Sequence, residues 1–93
     1  MLSLRSQLRI PAHVTASRIE EDTFLLDTRT NQYFALENVS SRLWSLLKDG
    51  RDLTEICGTL EKEYRVEHSE LERDVLELFQ QLLENGLVEL VEE

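Results

Sequence analysis

Two short apolar runs flank a polar turn in "LLDTRTNQYFAL", residues 25–36, and the spacing of apolar positions differs in kind on the two sides of that stretch. Ahead of the turn, His13 to Ile19 alternates weakly, with Val14, Ala16 and Arg18 on one side. Thr23 to Thr28 is a second run, rich in Phe and Leu, and both runs suit strands. In "TRTNQ", Asn31 tolerates a left-handed backbone, and Gln32 to Glu37 then forms the third strand of an antiparallel hairpin. Beyond it the period lengthens to about 3.6. Val39, Leu43, Trp44, Leu46 and Leu47 share one helical face, with Asn38 or Ser40 placed to cap it and Asp49–Gly50 to stop it. Asp52 and Glu55 have capping-box spacing at the head of a second helix whose inner face is Leu53, Ile56, Cys57, Leu60 and Tyr64. Within that helix Gly58 reads as a position of close packing. Ser69 and Glu72 repeat the capping spacing before a third helix striped by Leu71, Val75, Leu78, Phe79, Leu82 and Leu83 and closed by Asn85–Gly86. "LVELV" alternates like a short strand or a docked tail.

Strands grouped before helices define an α+β class. The expected architecture is winged helix-turn-helix-like, a three-stranded antiparallel sheet followed by three helices. Residues 1–11 read as a flexible amino-terminal arm ending at Pro11, and residues 12–93 as a single domain.

A chain of 93 residues buries only about 60 to 65% of its unfolded surface, which leaves little room for a deep catalytic cavity. The longest unbroken apolar run, Tyr33 to Leu36, has four residues, against the roughly 20 needed to cross a bilayer. The amino terminus also lacks the continuous apolar segment of a secretory signal. A cytoplasmic protein without membrane association is expected.

Catalytic chemistry finds no purchase. Cys57 is the single cysteine, and His13 and His68 lie far from it, so no disulfide and no zinc-binding spacing exist. Neither a Gly-rich phosphate loop nor a nucleophile elbow is present. No catalytic residue, metal ligand or cofactor is assigned. Glu70 and Asp74 share a helix face at i, i+4, a pattern that reads as solvated surface. The net charge is −9, and from Glu67 to Glu93 nine acids stand against Arg73 alone. A third helix so charged repels phosphate, which argues against nucleic acid as a partner. An acidic winged-helix transcription regulator or a plain assembly subunit is the competing reading.

The hairpin offers a different chemistry. If the second strand is central, the third is an edge, and "QYFAL" carries no proline, lysine or other device that blunts edges. Alternation sends Tyr33 and Ala35 to one face and Phe34 and Leu36 to the other, so both faces are apolar. Either the third helix covers that edge and both aromatics are core, or an extended peptide adds there as a further strand. In the second case Gln32, Tyr33, Phe34, Ala35 and Leu36 supply the pairing. Leu71, Val75 and Leu78 wall an apolar pocket, and Arg73 and Asp74 form its polar rim.

The chain from His13 to Glu89 resembles the PqqD-like family, recognition domains of pathways that modify ribosomally made peptides. The resemblance is carried by Leu-Leu-Asp before the turn, the pair Tyr33–Phe34, Leu36 eight residues before Trp44, Leu53 to Ile56, Asp74, and the closing Asn85-Gly86-Leu87. It departs from the family where Glu37, rather than Asn, follows Leu36. The resemblance implies a winged-helix-like fold and a precursor leader peptide lying antiparallel on the third strand against the third helix. It also implies no catalysis by this chain, the precursor being handed to a partner peptidase or other maturation enzyme. Lasso peptide biosynthesis is the favoured pathway, with the radical enzyme of redox-cofactor synthesis as the other partner type.

Overall fold

A computed structural model describes residues 2–91, and the change of period is visible in its element order. The elements are β1 (Leu8–Arg9), β2 (Val14–Ile19), β3 (Asp22–Asp27), β4 (Gln32–Leu36), α1 (Val39–Lys48), α2 (Leu53–Tyr64), α3 (His68–Glu84) and β5 (Glu89–Leu90). The second, third and fourth strands form an antiparallel sheet in the order β2-β3-β4, which is the expected three-stranded sheet followed by three helices. Thr23, Leu25 and Asp27 of β3 are buried, and their cross-strand partners Leu36 and Phe34 face the same way. That inner face meets a core built on Trp44, Ile56, Leu60 and Phe79, each no more than 2% exposed. A buried hydrogen bond between the hydroxyls of Thr23 and Ser41 joins β3 to α1 at 2.5 Å.

The residues expected to be a loose arm pack on the body. Leu2 is buried, Leu4, Leu8 and Ile10 lie against the core, and β1 pairs with β5 through Leu8↔Leu90 and Arg9↔Glu89. The Val91 amide donates to the Gln7 carbonyl at 2.9 Å, and Arg9 meets the Glu89 carboxylate at 2.8 Å. Physically, the segment brings four apolar side chains to a core too small to leave them out, and "LVELV" supplies the strand that pairs it.

Helix caps agree with the sequence in one case and differ in two. Asp52 and Glu55 form the reciprocal box: the Glu55 amide donates to Asp52 Oδ1 at 2.8 Å and the Asp52 amide to Glu55 Oε1 at 3.3 Å. Asn38 stands at the start of α1 without a side-chain cap bond. It contributes backbone geometry, a φ of 51° that asparagine tolerates better than most residues, and this turns the chain sharply from β4 into α1. At α3 the cap is Glu67, whose carboxylate accepts from the amides of Ser69 at 3.2 Å and Glu70 at 3.1 Å. The Ser69 hydroxyl also donates to it, and these bonds hold the Glu67 carboxyl below its ordinary range. Ser69 is therefore inside the first turn rather than ahead of it.

Lateral ties between the helices are polar. Arg42 and Glu63 make a two-pronged pair between α1 and α2 at 2.9 and 3.0 Å. His68 sits between Glu61 at 2.8 Å and Glu72 at 3.4 Å, and its hydrogen bond and ion pair with Glu61 raise its pKa.

Cys57 is 1% exposed among apolar neighbours, and burial pushes its thiol up, away from the reactive thiolate. Gly58 does not mediate close packing, because a Cβ placed there meets nothing within 4 Å. Its effect is therefore the entropic cost of glycine within a helix, roughly 0.5–1 kcal/mol relative to alanine. Gly58→Ala is expected to raise the unfolding free energy by about that amount in urea denaturation, and an unchanged or lowered value would show a packing role after all.

Candidate functional site

Two hydrogen bonds fix which main-chain groups of β4 are free. The Thr28 amide donates to the His13 carbonyl on the β2 side at 2.8 Å, and the Asn31 amide to the Asp27 carbonyl on the β4 side at 2.8 Å. Antiparallel ladders alternate, so Phe34 and Leu36, opposite Leu25 and Thr23, direct their N–H and C=O groups into β3. Tyr33 and Ala35 direct theirs to the open side. No strand among the described residues pairs with that side, since β4 ends the sheet and the tail is taken by β1.

Tyr33 is 72% exposed on the outer face of the sheet, whereas Phe34 is half-buried and Leu36 buried on the inner face. Beside them runs a depression of about 350 Å³ bordered by Phe34, Ala35, Leu36 and Glu37 on one side and Leu78, Gln81, Leu82 and Asn85 on the other. It shares Ser40 and Leu78 with a larger cavity of about 410 Å³ between α1 and α3. Val39, Leu43, Val66, Leu71, Val75 and Leu78 make that cavity apolar, and Ser40, Glu67, Glu70 and Asp74 stand around it.

The residues expected from sequence are thus divided. Phe34, Ala35, Leu36 and Leu78 meet in the strand-side depression, and Leu71, Asp74, Val75 and Leu78 in the larger cavity. Leu78 belongs to both. Leu71 and Val75 face α1, not β4, and the α3 residues beside the strand come from its carboxy-terminal half. Gln32 and Tyr33 border neither hollow, and Arg73 stands in solvent, 3.8 Å from Asp74. Sequence reasoning missed Val39, Leu43 and Val66, which meet α3 only through the folding of α1 and the α2–α3 connection. Glu70 was legible as Asp74's neighbour one helical turn away, but nothing local distinguishes a cavity rim from open surface.

The hairpin is held to the end of α3 by a small polar knot. The Arg29 amide donates to Asp27 Oδ1 at 2.9 Å, with the Arg29 guanidinium at 3.5 Å. His13 Nε2 lies 2.9 Å from the Gly86 carbonyl and donates to it, and Gly86 occupies a left-handed φ of 74° against Arg29. Burial alone would raise the Asp27 carboxyl, but the Arg29 amide and guanidinium, helped by His13, outweigh it and hold the carboxyl below its ordinary range.

Among the described residues no group of three or more His, Cys, Asp or Glu is placed to hold a metal ion, and no helix is long and apolar enough to cross a membrane. What the site presents is a free strand edge, an apolar hollow and carboxylates.

The family model of coenzyme PQQ synthesis protein D (PqqD) matches residues 22–88. One similar solved structure is described as "TbiB1 in Complex with the TbiA(beta) Leader Peptide": it is 33% identical, the match covers 91% of this chain and 99% of that one, and the TM-score is 0.86. A second, "Lasso peptide synthetase B1 complexed with the leader peptide", is 28% identical over 89% of this chain and 98% of that one, with a TM-score of 0.83. Comparison with curated proteins gave no match.

Because the folded-state pKa of Asp27 is lowered, its contribution to stability is present above the unfolded value of about 3.9 and is lost as pH falls through the folded value. Asp27→Asn is expected to be less stable than the parent at pH 7 in thermal melts, with the gap closing as the pH is lowered below about 4. A gap independent of pH would place the effect in shape rather than charge.

Proposed function

We propose that this chain, which belongs to the coenzyme PQQ synthesis protein D (PqqD) family, is a non-catalytic adaptor that captures the leader of a ribosomally made precursor peptide as a fourth strand on β4. The leader runs antiparallel to β4, places an apolar side chain in the cavity between α1 and α3, and is presented to a separate maturation enzyme. Lasso peptide biosynthesis, with a leader peptidase as that enzyme, is the favoured setting. It is supported by the likeness over nine-tenths of the chain to proteins whose structures hold a leader peptide.

The observation that carries the reading is the open row of N–H and C=O groups on Tyr33 and Ala35 beside a depression that shares Ser40 and Leu78 with the apolar cavity between α1 and α3. Four main-chain bonds there contribute roughly 1 kcal/mol each, a total of about 4 kcal/mol, which corresponds to a Kd near 1 mM before ordering costs. Strand addition alone is therefore too weak for capture. Burying one Leu-sized side chain adds about 1.5–3 kcal/mol, so the cavity is required as well as the edge. Tethering at a partner enzyme then raises the effective concentration of the precursor to the mM range without new chemistry.

Ala35→Pro tests the edge, since it deletes an outward N–H while the β3-facing groups of β4 stay intact, and edge strands tolerate proline. A synthetic leader of the precursor encoded beside this chain is expected to bind Ala35→Pro about tenfold or more weakly. Leu78→Gln should weaken it comparably by spoiling both hollows, with circular dichroism unchanged. Leader affinity equal to that of the parent in both variants would contradict the proposal. Val75 is a poorer probe, because at 2% exposure it is a core residue and a charge there threatens the fold itself.

A further inference from the structure

Resting on that reading, we infer that the groove selects a guest with a basic residue, Lys or Arg, next to its apolar anchor on the amino-terminal side of the strand-paired segment, held by Glu70 and Asp74. Position comes from topology. The edge of β4 ends at Leu36, where the Asn38 turn carries the chain off into α1. A guest continuing past that end crosses Ser40 and Leu78, which border both hollows, and enters the larger cavity. Antiparallel pairing is the more stable mode, and it makes the part of the guest beyond Leu36 its amino-terminal part.

Chemistry comes from the lining. Carboxylates Glu37, Glu67, Glu70 and Asp74 border the two hollows, and no Lys or Arg does. Glu67 is engaged in capping α3. Glu70 has no ion-pair partner among the described residues, and Asp74 has only a long, solvent-exposed pair with Arg73, 3.8 Å away on a side chain 72% exposed. Glu70 and Asp74 lie one turn apart on the cavity side of α3, a like-charge pair that a guest cation relieves and a guest acid aggravates. An exposed ion pair is modest, so the expected discrimination is about three- to tenfold, falling as salt rises. It complements the apolar anchor by rejecting wrong peptides rather than by supplying most of the affinity.

The test is a selection of mRNA-displayed random 16-residue peptides against the full chain. Binders that lose affinity in Ala35→Pro are expected to share Lys or Arg beside an apolar residue, amino-terminal to an alternating segment. In such a peptide Lys→Gln should weaken binding about three- to tenfold to the parent and to the control Glu21→Gln, but hardly at all to the double variant Glu70→Gln, Asp74→Asn. The control separates a local contact from the general pull of a chain of net charge −9. Edge-dependent binders with no basic preference, or a Lys→Gln effect undiminished in the double variant, would overturn the charge inference and leave the adaptor standing. A selection yielding no binder sensitive to Ala35→Pro would overturn the adaptor reading itself, and this inference with it.

Discussion

The tail after α3 pairs with Leu8–Arg9, and that pairing governs what the rest of the molecule can do. Residues 87–90 bring Leu87 and Val88 into the core and then form the short ribbon with β1. Had the same segment been laid against Tyr33 and Ala35, the sheet would have been closed and the hollow beside it filled from within. Instead the amino-terminal residues absorb it, and the β4 edge stays available. An unpaired edge is ordinarily a liability that proteins suppress. Here it is five residues long, it ends in an abrupt turn at Asn38, and a carboxylate stands beside it at Glu37, with Glu70 and Asp74 at the neighbouring cavity. Those features discourage a second copy of the same acidic chain while leaving room for a different peptide.

Much of the architecture was legible because local and global preferences coincide. The change from period two to period 3.6 at Glu37 separates the sheet from the helices, and Asp52 with Glu55 marks the start of α2 in both sequence and structure. Errors arose where a residue serves the backbone rather than its side chain, or where a neighbour does the expected job. Asn38 contributes a positive φ instead of a cap bond, and Glu67, two residues earlier, does the capping that spacing assigns to Ser69. Residues 2–11 pack on the body where the sequence suggests an arm, because their partner, Glu89–Leu90, lies some eighty residues away and no local pattern announces such a pairing.

The candidate site shows the same division. The free edge and the alternation of Tyr33, Phe34, Ala35 and Leu36 follow from strand order, which the sequence order of the hairpin already implies. The larger cavity does not. It needs Val39 and Leu43 from α1, Val66 from the α2–α3 connection and Leu71, Val75 and Leu78 from α3, and their convergence depends on helix packing. That convergence also changes the setting of the acids: on an isolated helix Glu70 and Asp74 are solvated surface, whereas in the fold they stand at the mouth of an apolar hollow, where the proposed charge selection would act. The acidity of α3, which argues against phosphate as a partner, suits a cationic peptide.

Amide hydrogen exchange read residue by residue tests the central claim most directly. In the free protein the Phe34 amide, bonded to β3, should be protected while those of Tyr33 and Ala35 exchange rapidly. With saturating leader peptide Tyr33 and Ala35 should slow by about tenfold or more as their outward groups enter a fourth strand. Protection of Tyr33 and Ala35 already in the free chain, or exchange at those two positions indifferent to the bound peptide, would contradict the account.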